Sequence, residues 1–385
     1  GDAVKNARTR VYREHPLTNT WGAYQCYGDP DFMLDRPSDG KAADEKSKRY
    51  FSPREYRDEL RRTSEQAKQA DADYRKILRD RLEGIYDSIP NAWLDAEMLG
   101  ILGDAWGSLG EYEESRKFYG SACQNENSNI TLKQIQQHAN LLTRQAQQLH
   151  DLNKQDGGQT ARGKSKARQS DGTVAPQPKK LLDDSLALLK KLRELNETAE
   201  LASMFGSHYK RRAQVLGNVE ANLKEAAQYY NEANQKAALT AGHTDLYPTL
   251  NWLTLEALLI TFAGSRTKKT KRMQEQLKEV RASLDRVLAI ARELKSSDDL
   301  WKRVHLPDAT LLHHLLEGDL GKEENINNLI KAYHKAIGDK ANAKLLDAVT
   351  GQMDFLIEML ERGRGNHKAE INALVEIKNG LEQER

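Results

Sequence analysis

Two cysteines are the first residues in this sequence that could do covalent chemistry. Cys26 and Cys123 lie far apart and form neither a C-x-x-C zinc pattern nor the dense spacing of a secreted disulfide framework. A thiol becomes a nucleophile only when a base lies within hydrogen-bond reach, and no histidine adjoins Cys26 in the sequence. We interpret Cys26 as a packed strand residue, with a nucleophilic role as the alternative. The sparse cysteines fit a reducing cytoplasm.

Ten histidines make a metal site the next chemistry to consider. His313 and Glu317 stand four residues apart, beside His314, so a helix would bring an imidazole and a carboxylate to one side. A catalytic zinc needs three protein ligands, and the sequence contains no H-E-x-x-H motif, so we predict no metal. His208, beside Tyr209, is interpreted as a packing or groove-lining residue. The phosphate-binding pattern G-x-x-x-x-G-K-[ST] is absent, and we predict no bound cofactor.

Basic residues cluster at two places, which raises nucleic acid as a partner. Residues 266–272 carry five basic residues in seven, and residues 153–180 carry seven basic against two acidic residues. Neither cluster has the aromatic side chains that stack on bases. We interpret the first as a solvated loop and the second as a disordered insertion, with a tether for an acidic partner as the alternative. A third hypothesis is an RNA or DNA adaptor that uses Lys164, Lys166, Arg168 and residues 268–272, and its binding would weaken steeply with salt.

The composition limits what kind of molecule can position these residues. Among 385 residues, 59 basic side chains nearly cancel 57 acidic ones, and the net charge of +2 favours neither nucleic acid nor a membrane surface. With 9 prolines, 25 glycines, 30% charged and 6% aromatic residues, the chain is typical of long solvent-faced helices, and an all-β fold is excluded. No run reaches the ~18 apolar residues of a membrane span, so we expect a soluble, cytoplasmic protein.

The chain divides into a short first region, a linker and a long helical region. Residues 35–51 are polar and turn-forming and predict the linker. Ser52, Pro53 and Glu55 then form a helix-start signal, because a serine cap, a first-turn proline and a glutamate three residues after the cap suit the free amides of a first turn. From Ser52 to the last residue the pattern is helical, apart from the insertion at 153–180.

The helical region contains an internal repeat. Residues 96–129 place small residues where two antiparallel helices would touch, aromatic rings between them and a glycine at the turn. The residues that carry this pattern are Leu102, Gly103, Trp106, Gly110, Tyr112, Ser115, Tyr119 and Ala122. They resemble a 34-residue tetratricopeptide (TPR) unit. The resemblance implies an all-α solenoid of stacked helix pairs.

Weaker copies of this unit follow. Phe205, Gly206 and Tyr209 repeat the first-helix spacing, after an intermediate unit whose first helix is predicted at 130–149. The second-helix residues of these two units are Ser185, Leu189, Leu192, Ala226, Tyr230 and Ala233. A longer connection than in the first unit is expected between the helices of the Phe205 unit. Further pairs are predicted at 246–294, 300–337 and 340–383, for five or six pairs in all. The last helix is expected to cap the array, with a solvent-exposed outer side and an apolar face formed by Ile371, Leu374, Ile377 and Leu381.

The first 34 residues differ from the rest. A helix is predicted up to His15, and Trp21 to Tyr27 alternate as a strand that ends at the turn Gly28-Asp29-Pro30. A single strand leaves its backbone groups unpaired. We therefore expect this strand to complete a sheet whose other strands lie outside this chain.

A second family resemblance lies in residues 19–32, which read NTWGAYQCYGDPDF, after Gly1 to Val4 and Ala7-Arg8. They resemble the closing helix and strand of a CHAT domain, the caspase-like domain associated with TPRs. The resemblance implies an α/β cysteine peptidase whose His-Cys dyad lies upstream of the last strand, so no catalytic residue is expected in this chain. Asp29 or Asp31 is a candidate for a pocket that takes a basic side chain, with turn formation as the alternative.

The best binding candidates lie on the repeats. In TPR folds the first helix of each pair lines the concave face, and in the third unit this places Ser203, Ser207, Lys210 and Arg211 there. Their cations suit the acidic groups of a protein or peptide partner. The alternative is that the array stacks only against its own protease half.

Together these features predict the C-terminal regulatory and protein-binding portion of a CHAT–TPR cysteine peptidase, not catalytic by itself. A ligand on the array would shift the repeats, and the adjoining strand would carry that shift to the sheet. The alternative function is a free-standing TPR scaffold for protein–protein interaction, with no protease link.

Overall fold

The computed structural model of the chain describes residues 2–14, 50–68, 70–124, 130–156, 177–241, 244–264, 271–338, 343–363 and 365–383. In these ranges the regular secondary structure is helical, with no strand. The first unit, residues 1–49, contributes one described helix, α1 (Asp2–Glu14), as the sequence predicts. The predicted strand from Trp21 to Tyr27, including Cys26, lies outside the described residues. So do Asp29, Asp31 and most of the predicted linker.

The second unit, residues 50–385, contains the remaining helices. Their bounds are α2 (Pro53–Ala67), α3 (Ala72–Ser88), α4 (Ala96–Leu109), α5 (Tyr112–Gln124), α6 (Leu132–Asp156), α7 (Pro178–Leu195), α8 (Ala199–Leu216), α9 (Val219–Ala241), α10 (Leu246–Gly264), α11 (Lys271–Leu294), α12 (Leu300–Glu317), α13 (Glu323–Ile337), α14 (Ala343–Arg362) and α15 (Lys368–Glu382). A short 3-10 turn, Asn91–Trp93, precedes α4. None of the described helices combines the length and apolar character that crossing a bilayer requires.

The helical region begins where the sequence predicts. Ser52 is the N-cap of α2, and its Oγ accepts a hydrogen bond from the Glu55 amide at 3.3 Å. The Glu55 carboxylate accepts from the amide of Phe51, the residue before the cap, at 2.9 Å, so one amide of the first turn and one just before the helix are satisfied. α2 and α3 form a hairpin that packs against α4 around its own apolar core. This hairpin precedes the predicted repeats and supports the first of them.

The unit formed by α4 and α5 has the TPR geometry. A Cβ atom on Gly103 would lie 2.9 Å from the Tyr119 ring, so a glycine is needed for α5 to approach α4 this closely. The Ser115 hydroxyl donates to the Gly103 carbonyl at 2.6 Å. Gly110 ends α4 with a φ of 87°, in the left-handed region that favours glycine. The predicted small and aromatic residues therefore join the two helices.

α8 and α9 repeat this contact. A Cβ atom on Gly206 would lie 2.7 Å from the Tyr230 ring. The prediction of a longer connection is wrong, because α8 ends at Leu216 and α9 begins at Val219, the same interval as between α4 and α5. The extra residues lengthen the helices, which have 18 and 23 residues against 14 and 13 in the first unit. Residues with good helix propensity fill the added turns, so they extend the helices and do not form a loop.

The intermediate unit consists of α6 and α7. The Ser185 hydroxyl donates to the Ala139 carbonyl at 2.7 Å, which repeats the serine contact of the first unit. α6 continues to Asp156 and α7 starts at Pro178, so both ends of the insertion predicted at 153–180 are helical. Residues 157–176 lie outside the described part of the chain.

The last three helix pairs match their predicted ranges, and α4 to α15 make six pairs. In α15 three of the four residues of the predicted apolar face are buried, Leu374, Ile377 and Leu381, and the fourth, Ile371, is half-buried against the same core. One continuous apolar core runs from α8 to α15. The described part of the second unit is therefore a TPR-like α-solenoid.

Candidate functional site

The first helices of five consecutive pairs line one cavity. α6, α8, α10, α12 and α14 contribute side chains to a space of about 870 Å³. Tyr230 of α9 and Tyr333 of α13 reach it from the second helices. This volume lies within the range of small-molecule pockets. Because its lining comes from five different pairs, the cavity is a property of the array and not of one repeat.

One row of residues on α8 forms the basic side of the cavity. Ser207, Lys210, Arg211 and Gln214 are spaced by three and four residues, and all four line it. Three of them are among the four residues that the sequence predicts for the concave face. The fourth, Ser203, is half-buried on the same helix and is not among the residues that line the cavity. Gln214 was not predicted, although its position four residues after Lys210 and three after Arg211 places it on the same side of the helix.

Neutral groups hold the Lys210 ammonium. It donates to Asn251 Oδ1 at 3.1 Å and to Gln352 Oε1 at 2.6 Å, and it lies 4.4 Å from the centre of the Phe355 ring. Burial lowers the pKa of Lys210 to about 7, and the charge of Arg211 acts in the same direction. Near neutral pH this side chain is therefore close to its own titration point.

Asp308 of α12 lies close enough to Lys210 for their charges to interact. The Tyr333 hydroxyl donates to Asp308 Oδ1 at 2.7 Å. Burial raises the pKa of Asp308 to about 6, against the opposing effects of Tyr333 and Lys210. In the first unit the Tyr119 hydroxyl makes the same kind of bond to the Asp104 carboxylate. A second-helix tyrosine that reaches an acidic residue of the first helix is thus a repeated contact in this array.

The Asp308 carboxyl gives a prediction about pH. Its pKa in the folded protein, about 6, exceeds the ordinary value of 3.8, so this group stabilises the fold most below pH 4 and loses that effect as the pH rises to 6. In Asp308→Asn the decline should be absent, so the free energy of unfolding relative to wild type should rise between pH 4 and 6. Urea unfolding at several pH values measures it. The exposed control Asp285→Asn should run parallel to wild type, and parallel curves for Asp308→Asn would contradict the prediction.

α14 closes the cavity through contacts with α6 and α8. Glu358 pairs with Lys154 and with Arg362, and its Oε2 accepts from Gln214 Nε2 at 2.8 Å. Arg362 also donates to the backbone carbonyls of Ala213 and Gln214 at 3.0 and 2.8 Å. Burial acts to raise the pKa of Glu358, but the hydrogen bonds from Lys154 and Gln214 outweigh it and the pKa is lowered. Polar contacts therefore connect the last pair to two early pairs of the array.

His208 and the His313–His314 pair, which the sequence offered as candidates, are held by contacts within the protein. His314 Nδ1 lies 2.8 Å from Asp319 Oδ1, and Glu317 pairs with Arg281 at 2.9 Å. Among the described residues no group of three or more His, Cys, Asp or Glu side chains could hold a metal ion. His208 is buried and does not line the cavity, and burial lowers its pKa to about 3, which keeps it neutral. The sequence left open whether His208 packs in the core or lines a groove, and in the structure it packs in the core.

Cys123 lies beside a histidine without forming a reactive pair. Its Sγ atom is 3.9 Å from His138 Nδ1. Burial raises the pKa of the Cys123 thiol and lowers the pKa of His138 to about 4. Both shifts favour the neutral forms, whereas a catalytic pair needs a thiolate. This contact therefore supplies no activated nucleophile.

The basic clusters fall largely outside the described part of the chain. Lys164, Lys166, Arg168 and residues 265–270 belong to the undescribed segments, and Lys271 and Arg272 open α11. The nucleic-acid hypothesis for these clusters stays a prediction.

Comparison with known protein families agrees with the repeats. A family model described as TPR-S, Tetratricopeptide Repeats-Sensor, matches residues 111–256, from the start of α5 into α10. The matched segment includes the whole of α8 and hence the basic side of the cavity. No curated protein matches the chain. The repeats are tetratricopeptide-like, a class that generally mediates protein–protein interaction. The likeness of residues 1–34 to a CHAT domain stays a prediction.

Proposed function

We propose that this chain is the C-terminal regulatory portion of a CHAT–TPR cysteine peptidase and that its helical array senses a ligand. The peptidase link is supported by the resemblance of residues 1–34. The sensing role is supported by one observation, the cavity that five first helices build together. The description of the matching family, which contains the word sensor, agrees with this role. The catalytic dyad belongs to the peptidase domain, and the array supplies control.

The control works through α14. Glu358 and Arg362 connect α14 to α6 and α8, and the same helices line the cavity. A ligand that contacts both α14 and the helices α6 and α8 favours one arrangement of α14 over another. The size of this shift is set by the ligand's difference in affinity for the two arrangements. The altered array then acts on the protein partner, which we propose is the CHAT peptidase domain.

The size of the cavity favours a small ligand. α14 residues lie against Lys210, so a protein segment at Ser207, Lys210 and Arg211 would have to displace this helix, whereas a small molecule fits the existing space. The prediction that Ser203, Ser207, Lys210 and Arg211 bind a protein or peptide stays a prediction. A free-standing TPR scaffold is the second candidate function, favoured by the family match, which covers repeats alone.

Filling the cavity tests the proposed function. Ala348 of α14 belongs to the lining and is exposed, so Ala348→Trp should place an indole ring at the open side of the ligand space. We would join this chain to a catalytically complete CHAT domain and measure peptide hydrolysis with and without a small-molecule extract of the host cell. Hydrolysis by the unaltered protein should change with the extract, and hydrolysis by Ala348→Trp should not.

The matched control is Val375→Trp, which adds the same ring at a position 40% exposed on α15. It should respond to the extract as the unaltered protein does. An equal response in Ala348→Trp, or no response in any of the three proteins, would contradict the proposed function. Activity that is independent of the array would favour the scaffold.

A further inference from the structure

Among the described residues, two cations on the cavity wall have no carboxylate within ion-pair distance. Within the described residues neither Lys210 nor Arg211 forms an ion pair, whereas the nearby Lys154 and Arg362 both pair with Glu358. Lys210 is already occupied by two amide oxygens and an aromatic ring. The side-chain hydrogen bond of Arg211 is made to the Ser207 hydroxyl. Arg211 is therefore the cation that keeps capacity for a further partner.

The Arg211 side chain is half-buried on the cavity wall, and none of its nitrogens is a buried atom without a partner. A guanidinium carries five N–H donors, and a charge that is partly removed from water and not paired is unfavourable for the empty protein. Burial lowers the pKa of Arg211, and the charge of Arg144 adds to the effect. Residues that weaken a fold in this way are commonly found at binding sites, where the ligand supplies the missing partner.

The surroundings of Arg211 suit an oxyanion. Tyr230 and Tyr247, whose rings are 6.2 Å apart, line the cavity beside it. The Tyr230 hydroxyl is already hydrogen-bonded to Tyr247 and Ser207, so the Tyr247 hydroxyl is the one that can donate to a ligand. Asp308 accepts from Tyr333 and interacts with Lys210, so it is compensated within the protein. Leu250, Val304 and Trp301 on α10 and α12 provide an apolar wall for the remainder of a ligand.

We infer that the cavity binds a small organic molecule bearing a phosphate or carboxylate group, which pairs with the Arg211 guanidinium. This inference rests on the proposed function, because it takes the cavity to be the sensing site. The planar fork of arginine matches both oxyanions through two parallel hydrogen bonds. The size of the cavity and the cover by α14 favour a small molecule over a peptide.

Two simple oxyanions serve as probes for the full chain. Pyrophosphate represents the phosphate class and succinate the carboxylate class, each titrated calorimetrically at ionic strength held constant with sodium chloride. We expect saturable binding of one probe, which identifies the class. Arg211→Gln should weaken that binding at least about tenfold, because a charge-assisted hydrogen bond contributes about 1.5–3 kcal/mol. The affinity of Arg211→Lys for the probe should lie between those of wild type and Arg211→Gln, since lysine keeps the charge but lacks the planar pair of N–H donors.

The matched control is the neighbouring residue. Arg212 pairs with Asp183 at 2.9 Å and does not line the cavity, so Arg212→Gln should bind the probe like the unaltered chain. Arg211→Gln should also unfold at the same or a higher urea concentration than wild type, because it removes an unpaired charge. A large loss of stability would instead assign Arg211 a structural role and overturn the inference.

Three other results would overturn it. The first is no saturable binding of either probe, and the second is equal binding by the unaltered chain and Arg211→Gln. The third is binding of a peptide through its terminal carboxylate with no binding of either small probe. If any one of these results is found while Ala348→Trp still abolishes the response to the extract, the proposed sensing function stands and only the oxyanion assignment is wrong.

Discussion

Replacing Gly206 with alanine should destabilise the protein by up to about 2 kcal/mol, the reverse of what the same change does in an open helix. Alanine has a helix propensity about 1 kcal/mol more favourable than glycine. Here the added methyl would lie 2.7 Å from the ring of Tyr230, which is only 1% exposed and cannot move aside without disturbing the core. Overpacking of this kind costs about 1–3 kcal/mol and separates α8 from α9 beside the cavity.

Gly120 is the matched control, because it lies within α5 and a Cβ atom there meets nothing within 4 Å. Gly120→Ala should stabilise the protein by up to about 1 kcal/mol, so the two substitutions should change the free energy of unfolding in opposite directions. Urea unfolding at an unchanged m-value measures both. In a Tyr230→Leu background the cost of Gly206→Ala should shrink, because the two changes share one contact. Stabilisation by both alanines would show that the glycine and tyrosine do not set this packing.

Replacing Arg362 with alanine should release α14 from α8. The guanidinium loses two hydrogen bonds to backbone carbonyls, at 3.0 and 2.8 Å, and its pairing with Glu358. Hydrogen bonds of a charged group contribute about 1.5–3 kcal/mol, and we expect about 2 kcal/mol here because the Arg362 side chain is partly exposed. Amides of α14 should exchange with deuterium about 30-fold faster, since each 1.4 kcal/mol is a factor of ten.

Lys378→Ala is the control for this effect. Lys378 of α15 pairs with Asp354 of α14 at 2.7 Å, but this bridge is exposed and does not reach α8. An exposed pair contributes less than about 1 kcal/mol, so exchange in α14 should change by less than fivefold. Equal acceleration by the two variants would mean that α14 opens independently of α8, which would remove the proposed route from the cavity to the rest of the protein.

The sequence was sufficient to predict the repeats because the contacts that define them are local. Gly103 and Tyr119, or Gly206 and Tyr230, belong to neighbouring helices of one hairpin, so their spacing is visible along the chain. The same local reasoning located the cap of α2 and the buried face of α15. It was wrong about the connection in the third unit, because spacing alone does not distinguish a longer loop from longer helices.

The cavity was only partly accessible to sequence reasoning. Three of the four predicted concave residues of α8 line it, because the side of a helix that faces inward follows from the TPR register. The partners of these residues were not predictable, since Gln352 and Glu358 lie more than a hundred positions away from the α8 residues they contact. Helical periodicity and repeat spacing do not indicate contacts between residues that are so far apart in the chain.

The amino-acid sequence by itself determined the helices, their pairing and the inward side of α8, because propensity, periodicity and close glycine–aromatic contacts act between residues near one another in the chain. Only the tertiary structure decided that α14 lies against α6 and α8, that Glu358 is paired and that Arg211 has no carboxylate partner among the described residues. The small rotation from each repeat to the next accumulates over the array, and this accumulated curvature sets which distant helices meet.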